Sequence, residues 1–585
     1  MVVVPALRAF SHCITVACFC ALRAQTPPPL EFFPISEIRP GLKGVGRTVF
    51  SGTAVEEFQV EILGTLENAG PKQSIILGRL SGGPLERTGV MQGMSGSPVY
   101  IDGKLAGAVA MAFPFSKEPI AGIRPIAEML AGGDTGLPRA VQAALVRTYS
   151  RNGIARNDGT ELVNLATPLS FNGFTRATLD AFAPQLRAIG LEPRQGLSAG
   201  RQPTELRNTS PLEPGSMISV QLITGDLSVG ADGTVTHIDG KRVYAFGHRF
   251  LSVGPTEVPF TRASVLALLP NVSTSFKISA SGDWLGSITS DRNAAVAGEL
   301  GRRPRMTPVT ISVAGLARPI EYKMEMAQDR LLSPMLLQMA IYSALDATER
   351  TLGSGAVRIR GEVEFDNLSE SLRFDTIHSG DFNVPLQTAL STAMPLGYAL
   401  QNSVEDLRVR KVNIALDSFT VKKQASIENA WLSRREARPG ENVEIMIEVA
   451  GESGVRTKHK LAYNVPIGSP VGTLNFTVGD GPTVNAAEQR YYGIGQPRPA
   501  KELVSFLNSL RSNTKGYVRV WRADAGFQID GKDLPDPPPS IGSILTRTQT
   551  GTSTIPRTST IAEMVFASGD VSVTGSKTLQ LEVKE

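Results

Sequence analysis

Cysteine and histidine are scarce in this chain of 585 residues. Its three cysteines, Cys13, Cys18 and Cys20, lie close to the N-terminus, and there are five histidines. Disulfides and cysteine-based metal sites or nucleophiles are therefore excluded from the rest of the chain. The sequence also lacks a complete Gly-x4-Gly-Lys-Ser/Thr phosphate loop, an HExxH zinc motif and a calcium loop. We accordingly predict no cofactor and no metal.

Excess charge and long apolar runs are lacking as well. The formal net charge is +4, and no basic stripe with interleaved aromatic residues is present, so nucleic acid is not an expected partner. Residues 1–24 have the pattern of a secretory signal peptide, with Arg8 before a short apolar stretch and a cleavage site after Ala24. We expect an exported protein, periplasmic, cell-surface or secreted, with no transmembrane span in the mature chain. A retained N-terminal anchor is the alternative.

One glycine-rich loop has the form that presents a catalytic serine. It reads Gly93-Met94-Ser95-Gly96-Ser97-Pro98 and runs into an apolar hairpin that turns at Asp102-Gly103-Lys104. Glycines beside Ser95 let the backbone bend, and the amides of Gly93 and Ser95 are then able to face one point as an oxyanion hole. An ordinary Gly/Ser/Pro turn is the alternative interpretation.

A serine nucleophile requires a base, and His248 is the candidate. It follows Gly247 at the end of the apolar stretch Val243–Phe246, which places an imidazole at a strand end. A structural histidine at a strand end is the alternative role. The other histidines lie in the leader, at a predicted hairpin turn or in polar surroundings: His12, His237, His378 and His459.

These segments resemble the SpoIVB-type serine peptidases. The resemblance covers Thr88–Pro98 with the Gly-Lys turn that follows, then Gly233-Thr234-Val235-Thr236 and Ala245-Phe246-Gly247-His248. It implies that Ser95 is the nucleophile and His248 the general base. It further implies a trypsin-like fold and regulated cleavage of one protein substrate.

Two features differ from that family. Its histidine segment precedes its serine segment, whereas Ser95 precedes His248 here, which we interpret as a permutation of the two lobes. Its aspartate lies just upstream of the serine motif, where this chain has none. The candidate orienting acids are Glu86, Asp283 and Asp291, with surface charge as the alternative for each. A Ser–His dyad and a loss of activity both stay open.

The predicted fold is mainly β with some α. Fifty-seven glycines and 39 prolines with modest charge favour many short strands. We expect a trypsin-like core of two permuted β-barrel lobes, followed by β-sandwich-like modules. The predicted divisions are a signal peptide (1–24), a serine lobe (25–135), a connector (136–215), a histidine lobe (216–365), a helix–strand connector (366–424), a sandwich-like module (425–480) and a C-terminal α+β region (481–585) with a flexible Thr/Ser-rich segment at 546–560. Within the connector, we expect a helix over residues 175–183 that Pro184 ends.

Two functions are consistent with these features. The first is an exported serine endopeptidase that acts on a protein or peptide substrate, with the C-terminal β module binding a cell-envelope partner. The alternative is a catalytically inactive scaffold that binds envelope proteins or glycans. The missing upstream aspartate favours the scaffold, whereas the serine loop and the Gly-His pair favour the peptidase.

Overall fold

The computed structural model of this chain describes residues 32–70, 73–131, 162–196, 211–315, 318–348, 352–492, 497–523, 527–529, 532–534, 540–541, 543–544, 558–567 and 569–585. The predicted signal peptide lies outside these residues, as does most of the predicted Thr/Ser-rich segment. No helix in the described part of the chain is both long and apolar enough to cross a membrane.

The serine lobe is a closed barrel of six antiparallel strands. The strands pair in the order β4-β1-β2-β3-β6-β5, and β5 pairs with β4 to close the ring. Along β2, Phe58, Val60 and Ile62 are buried while the intervening Gln59 and Glu61 are exposed, as expected when alternate side chains fill a barrel. The elements of this lobe are β1 (Lys43–Val49), β2 (Val55–Gly70), β3 (Gln73–Ser81), α1 (Leu85–Thr88), β4 (Pro98–Ile101), β5 (Lys104–Ala112), β6 (Ile120–Pro125), α2 (Ile126–Ala131) and β7 (Val163–Asn164).

The histidine lobe contains a second closed antiparallel barrel within a 13-stranded sheet. Its six strands pair in the order β10-β13-β14-β15-β12-β11, and β11 pairs with β10. The elements of this region are β8 (Thr167–Asn172), α3 (Arg176–Ala188), β9 (Leu191–Gln195), β10 (Met217–Gly225), β11 (Ser228–Asp239), β12 (Arg242–Ala245), β13 (Gly254–Leu269), β14 (Phe276–Arg292), β15 (Ala295–Leu300), β16 (Met306–Ala314), β17 (Ile320–Ala327), α4 (Leu332–Asp346), β18 (Leu352–Phe365), β19 (Leu372–Phe382), α5 (Val384–Asn402) and β20 (Val409–Phe419).

The sheet of the histidine lobe extends into both predicted connectors. Strands β8 and β9 join one end beside β11, and β18, β19 and β20 join the other end beyond β16. Helix α3 continues through Pro184 to Ala188, so the prediction that Pro184 ends it is wrong. Leu179, Phe182 and Leu186 are buried on both sides of the proline, and this packing outweighs the lost backbone hydrogen bond.

The C-terminal region is a β-sandwich that extends well beyond the predicted end at residue 480. A four-stranded sheet, β24-β23-β21-β30, shares one hydrophobic core with a five-stranded sheet, β22-β31-β25-β26-β29. Its elements are β21 (Gln424–Leu432), β22 (Glu436–Ala437), β23 (Asn442–Gly451), β24 (Arg456–Asn464), β25 (Gly472–Asp480), α6 (Gly481–Tyr492), α7 (Ala500–Ser509), β26 (Lys515–Ala523), β27 (Phe527–Ile529), β28 (Lys532–Leu534), β29 (Thr558–Ala567), β30 (Ser572–Thr574) and β31 (Ser576–Val583). The predicted fold class, β-barrel lobes followed by a β-sandwich, is confirmed.

The two barrels meet along a seam that includes backbone hydrogen bonds. Gly52 pairs with Val265 of β13, and Gln92 pairs with Phe276 of β14. Val49 from the serine lobe packs with Met217 and Ala263 from the histidine lobe in a small shared cluster. The serine loop, which follows Gln92, is therefore attached to both barrels.

Packing inside the histidine barrel generates a stability prediction. Phe260 is fully buried, and its ring lies over Gly286 on β14 and Gly298 on β15. Phe260→Ala leaves a cavity there and is expected to lower the free energy of unfolding of this barrel by about 3–5 kcal/mol. Hydrogen exchange of β10–β15 in urea, read by mass spectrometry, measures this change. The control Phe382→Ala, at a residue 70% exposed, is expected to leave exchange unchanged; equal protection in both variants contradicts the prediction.

Candidate active site

The serine loop is shaped by two glycines in left-handed conformations. Gly93 and Gly96 have φ angles of +90° and +93° and flank Met94 and Ser95. A Cβ at Gly96 would lie 2.0 Å from the carbonyl oxygen of Thr234 and 2.5 Å from the amide nitrogen of Phe246. Both contacts come from the histidine lobe, so Gly96 is required for the two lobes to approach each other at Ser95.

Strand β11 of the histidine lobe binds three carbonyls of the serine loop. The Thr234 hydroxyl donates to the Gly93 carbonyl (2.9 Å), and the Thr236 hydroxyl donates to the Gly96 carbonyl (2.7 Å). The Thr234 amide donates to the Ser95 carbonyl at 2.8 Å. With its carbonyls bound on this side, the loop is fixed in one orientation against the other barrel.

The two predicted oxyanion donors are free. Gly96 donates its amide to the carbonyl of Val109 at 2.7 Å, whereas the amides of Gly93 and Ser95 have no acceptor among the described residues. Both residues are buried. Buried amides without acceptors are uncommon in folded proteins, so these two are candidates to donate to an oxygen atom of a bound ligand. The structure thus leaves unused the same two amides that the sequence singles out.

His248 lies at the same seam. It follows β12 after Phe246 and Gly247, whose φ angles are +72° and +68°, and it is 2% exposed. A Cβ at Gly247 would lie 3.2–3.4 Å from atoms of Ala108, Val109 and Ala110 on β5. Since Val109 accepts the amide hydrogen bond of Gly96, the same strand contacts both the serine loop and the histidine segment.

The imidazole of His248 is held in one tautomer by its neighbour's backbone. Nδ1 lies 2.7 Å from the carbonyl oxygen of Arg249. A carbonyl only accepts, so Nδ1 carries the proton and Nε2 has the free lone pair. Neither His248 Nε2 nor Ser95 Oγ, both buried, has a hydrogen-bond partner in the part of the chain that the structure describes, and no hydrogen bond joins the two atoms.

Burial keeps this imidazole neutral. Desolvation is the main reason that the pKa of His248 is lowered to about 4. The hydrogen bond to the Arg249 carbonyl raises this pKa, and the charges of Arg124 and Arg249 lower it. Arg124 is itself buried and donates from Nη1 to Gln73 and to Glu128, each at 3.2 Å. At neutral pH the ring is therefore in the form that accepts a proton.

Of the three candidate acids, only Asp291 lies at the histidine segment. Glu86, in the first turn of α1, and Asp283, on β14, are both exposed. Asp291 is 1% exposed and accepts the amides of Phe250 (2.8 Å), Leu251 (2.6 Å) and Val253 (3.4 Å). Burial raises the pKa of Asp291 to about 6, although these amides lower it. Asp291 thus holds the loop after His248, and the Arg249 carbonyl is the group that contacts the ring.

Sequence reasoning missed several residues that form the site. Thr234 and Thr236 belong to a stretch that the family resemblance included without a role, so their signal was present. Lys277 had no signal: its side chain packs against Gly93, and its Nζ donates to the hydroxyl of Thr48 at 2.8 Å. Burial lowers the pKa of Lys277 to about 7. The charges of Asp232 and Glu56 raise this pKa, but their effect is smaller than that of burial.

The hydrogen bond from Thr234 to the serine loop provides a test of this seam. Thr234→Val keeps the shape of the side chain but leaves the buried Gly93 carbonyl without its donor. The expected loss in unfolding free energy is about 1–3 kcal/mol. Thr234→Ser, which retains the hydroxyl, is the matched control, and urea unfolding of both variants gives the comparison. Equal stabilities would show that this hydroxyl does not hold the loop.

A family model matches part of the chain. No curated protein and no solved structure matches the chain. His248 and β11 lie outside the segment that matches a family model, so the role of His248 and the permuted order of the two segments stay predictions. Residues 27–129, which include Ser95 and most of the serine lobe, match the model of the SpoIVB peptidase S55 family.

Proposed function

We propose that this chain is an exported serine endopeptidase whose nucleophile is Ser95 and whose general base is His248. One observation carries the proposal: the seam between the barrels holds a buried hydroxyl, a buried neutral imidazole nitrogen and two amides, none of which has a hydrogen-bond partner among the described residues. Export rests on the leader sequence alone. We also propose that the C-terminal sandwich binds a cell-envelope partner, as the sequence organisation suggests.

The proposed reaction proceeds through an acyl-enzyme. Ser95 Oγ attacks the peptide carbonyl carbon as its proton passes to His248 Nε2. The amides of Gly93 and Ser95 bind the oxyanion. Each such donor typically lowers the activation free energy by about 3–4 kcal/mol. The C–N bond then breaks, and the imidazolium returns the proton to the leaving amine. A water molecule then attacks the acyl carbon as its proton passes to His248, the ester bond to Ser95 Oγ breaks, and the carboxylic acid product and free Ser95 are released.

The burial of Ser95 adds a requirement to this mechanism. Its side-chain oxygen has no contact with solvent, and Oγ is not hydrogen-bonded to His248. The seam must therefore open, transiently in the free protein and more fully when substrate binds, to bring the two atoms within hydrogen-bonding reach, as catalytic hydrogen bonds often tighten in the substrate complex. This requirement suits a peptidase that acts on one substrate better than one that digests proteins generally.

Covalent labelling tests the nucleophile. Wild-type protein is treated with a fluorophosphonate, which phosphonylates Ser95 Oγ as fluoride leaves, and the modified peptide is identified by mass spectrometry. We expect labelling at Ser95 that is absent in Ser95→Ala and at least about a hundredfold slower in His248→Ala, the range for loss of a general base. The control Ser81→Ala changes an exposed serine at the end of β3 and is expected to label as wild type. Failure of the folded wild type to label would favour the inactive scaffold.

The pH dependence of labelling tests the base. The neutral imidazole is the reactive form, so the rate is expected to increase as pH rises through about 4, the pKa of His248, and to be level up to pH 7. An unperturbed histidine would give the same rise near pH 6.5 instead. Labelling rates of wild-type protein between pH 3.5 and 7.5, with folding checked by circular dichroism at each pH, distinguish the two. A rise centred above pH 6 would contradict a buried, desolvated base.

A further inference from the structure

A cavity of about 340 Å³ opens directly beside the serine loop. One wall is formed by Thr88–Val90 and Gln92, the residues that lead into Gly93. Facing walls come from Phe113–Ser116 of the serine lobe and Asn271–Ser275 of the histidine lobe. A chain bound across Ser95 with its carbonyl oxygen at the Gly93 amide would place a neighbouring side chain at this cavity.

Arg194, from β9, is fixed in the cavity wall. Its guanidinium lies over the ring of Phe276, with its central carbon 3.9 Å from the ring centroid. Its Nε and Nη2 donate to Gln92 Oε1 at 3.2 and 3.0 Å. Gln92 is fixed in turn by its backbone. Its backbone amide donates to the carbonyl of Ser275 at 2.9 Å, and its backbone carbonyl accepts from the amide of Lys277 at 3.2 Å. The guanidinium of Arg194 is thus held against Gln92, which lies three residues before Ser95 in the sequence.

Among the described residues, no carboxylate is hydrogen-bonded to Arg194. Four charged side chains line it: Glu118, Arg187, Glu192 and Arg194. Arg187 and Glu192 form a pair with two hydrogen bonds of 3.0 Å, and Glu118 accepts from Arg79 at 3.0 Å. Within the described residues, Arg194 bonds only to a neutral amide and an aromatic ring, and its Nη1 has no acceptor. A half-buried guanidinium of this kind binds a carboxylate strongly.

We propose that this cavity is the subsite for the substrate side chain next to the scissile bond, and that it takes an acidic side chain, glutamate or aspartate, whose carboxylate accepts from Nη1 of Arg194. The inference rests on the proposed peptidase function and adds its specificity. The phenyl ring beneath the guanidinium and the fixed Gln92 keep the donors in place, so little is lost in ordering them on binding.

Three covalent probes that differ in one side chain test this specificity. They are peptidyl diphenyl phosphonates carrying a glutamate, glutamine or lysine side chain beside the phosphorus; attack by Ser95 Oγ forms a P–O bond and releases phenol. With wild-type protein we expect the glutamate probe to label about tenfold or more faster than the glutamine probe and faster still than the lysine probe, as for a charge-assisted hydrogen bond gained. In Arg194→Gln the glutamate-to-glutamine ratio is expected to fall to about one, and Arg194→Lys to restore part of it.

The controls separate this inference from the proposed function. Arg176→Gln removes an exposed arginine paired with Asp180 on α3 and is expected to keep the wild-type ratio. A fluorophosphonate without a recognition side chain is run on every variant. If it labels Ser95 while the three phosphonates react at equal rates, the acidic subsite is wrong and the peptidase proposal stands. If it fails to label folded wild-type protein, both proposals fail.

Discussion

The site depends on the contact between strand β11 and the serine loop. Thr234 and Thr236 donate hydrogen bonds to the carbonyls of Gly93, Ser95 and Gly96, so the loop is held against β11 by its carbonyl groups. Gly96 permits the approach, since any side chain there would collide with the histidine lobe. Neither barrel forms this arrangement alone. Chain order is therefore immaterial to it, and two lobes joined in either order are able to build the same seam.

The seam concentrates polar atoms that folding would be expected to satisfy. Leaving one buried donor or acceptor unpaired costs about 1–3 kcal/mol. Within the described ranges, four groups here have no partner: the Gly93 and Ser95 amides, Ser95 Oγ and His248 Nε2. Large apolar clusters in both barrels and the shared cluster around Met217 hold the lobes together against this cost. Polar groups kept unpaired by surrounding packing are typical of sites built to bind something else.

The sequence predicted the local parts of this site better than the nonlocal ones. Ser95, Gly93 and His248 stood out because turns and strand ends have short signatures, and the two barrels followed from strand-rich composition and the family resemblance. The partner of His248 Nδ1 was not predictable as a side chain, since it is the backbone carbonyl of Arg249. Lys277 reaches Gly93 only through pairing of distant strands. The predicted boundary of the sandwich lies at residue 480, although the sandwich continues beyond it. Strand β31 pairs with β25 across a sequence separation that no local pattern reports.

The group that contacts His248 also bears on how fast such a site works. In a Ser-His-Asp triad, a carboxylate stabilises the imidazolium that forms as the serine loses its proton. Here the Arg249 carbonyl contributes only a dipole, and the charge of Asp291 is directed at the amides of Phe250, Leu251 and Val253. Arg124 and Arg249 oppose protonation. The proton on Nδ1 is thus fixed but the ring is weakly basic. In the proposed mechanism, proton transfer therefore draws on substrate binding energy. That combination favours a peptidase that is most active on a substrate that opens the seam and fills its subsites.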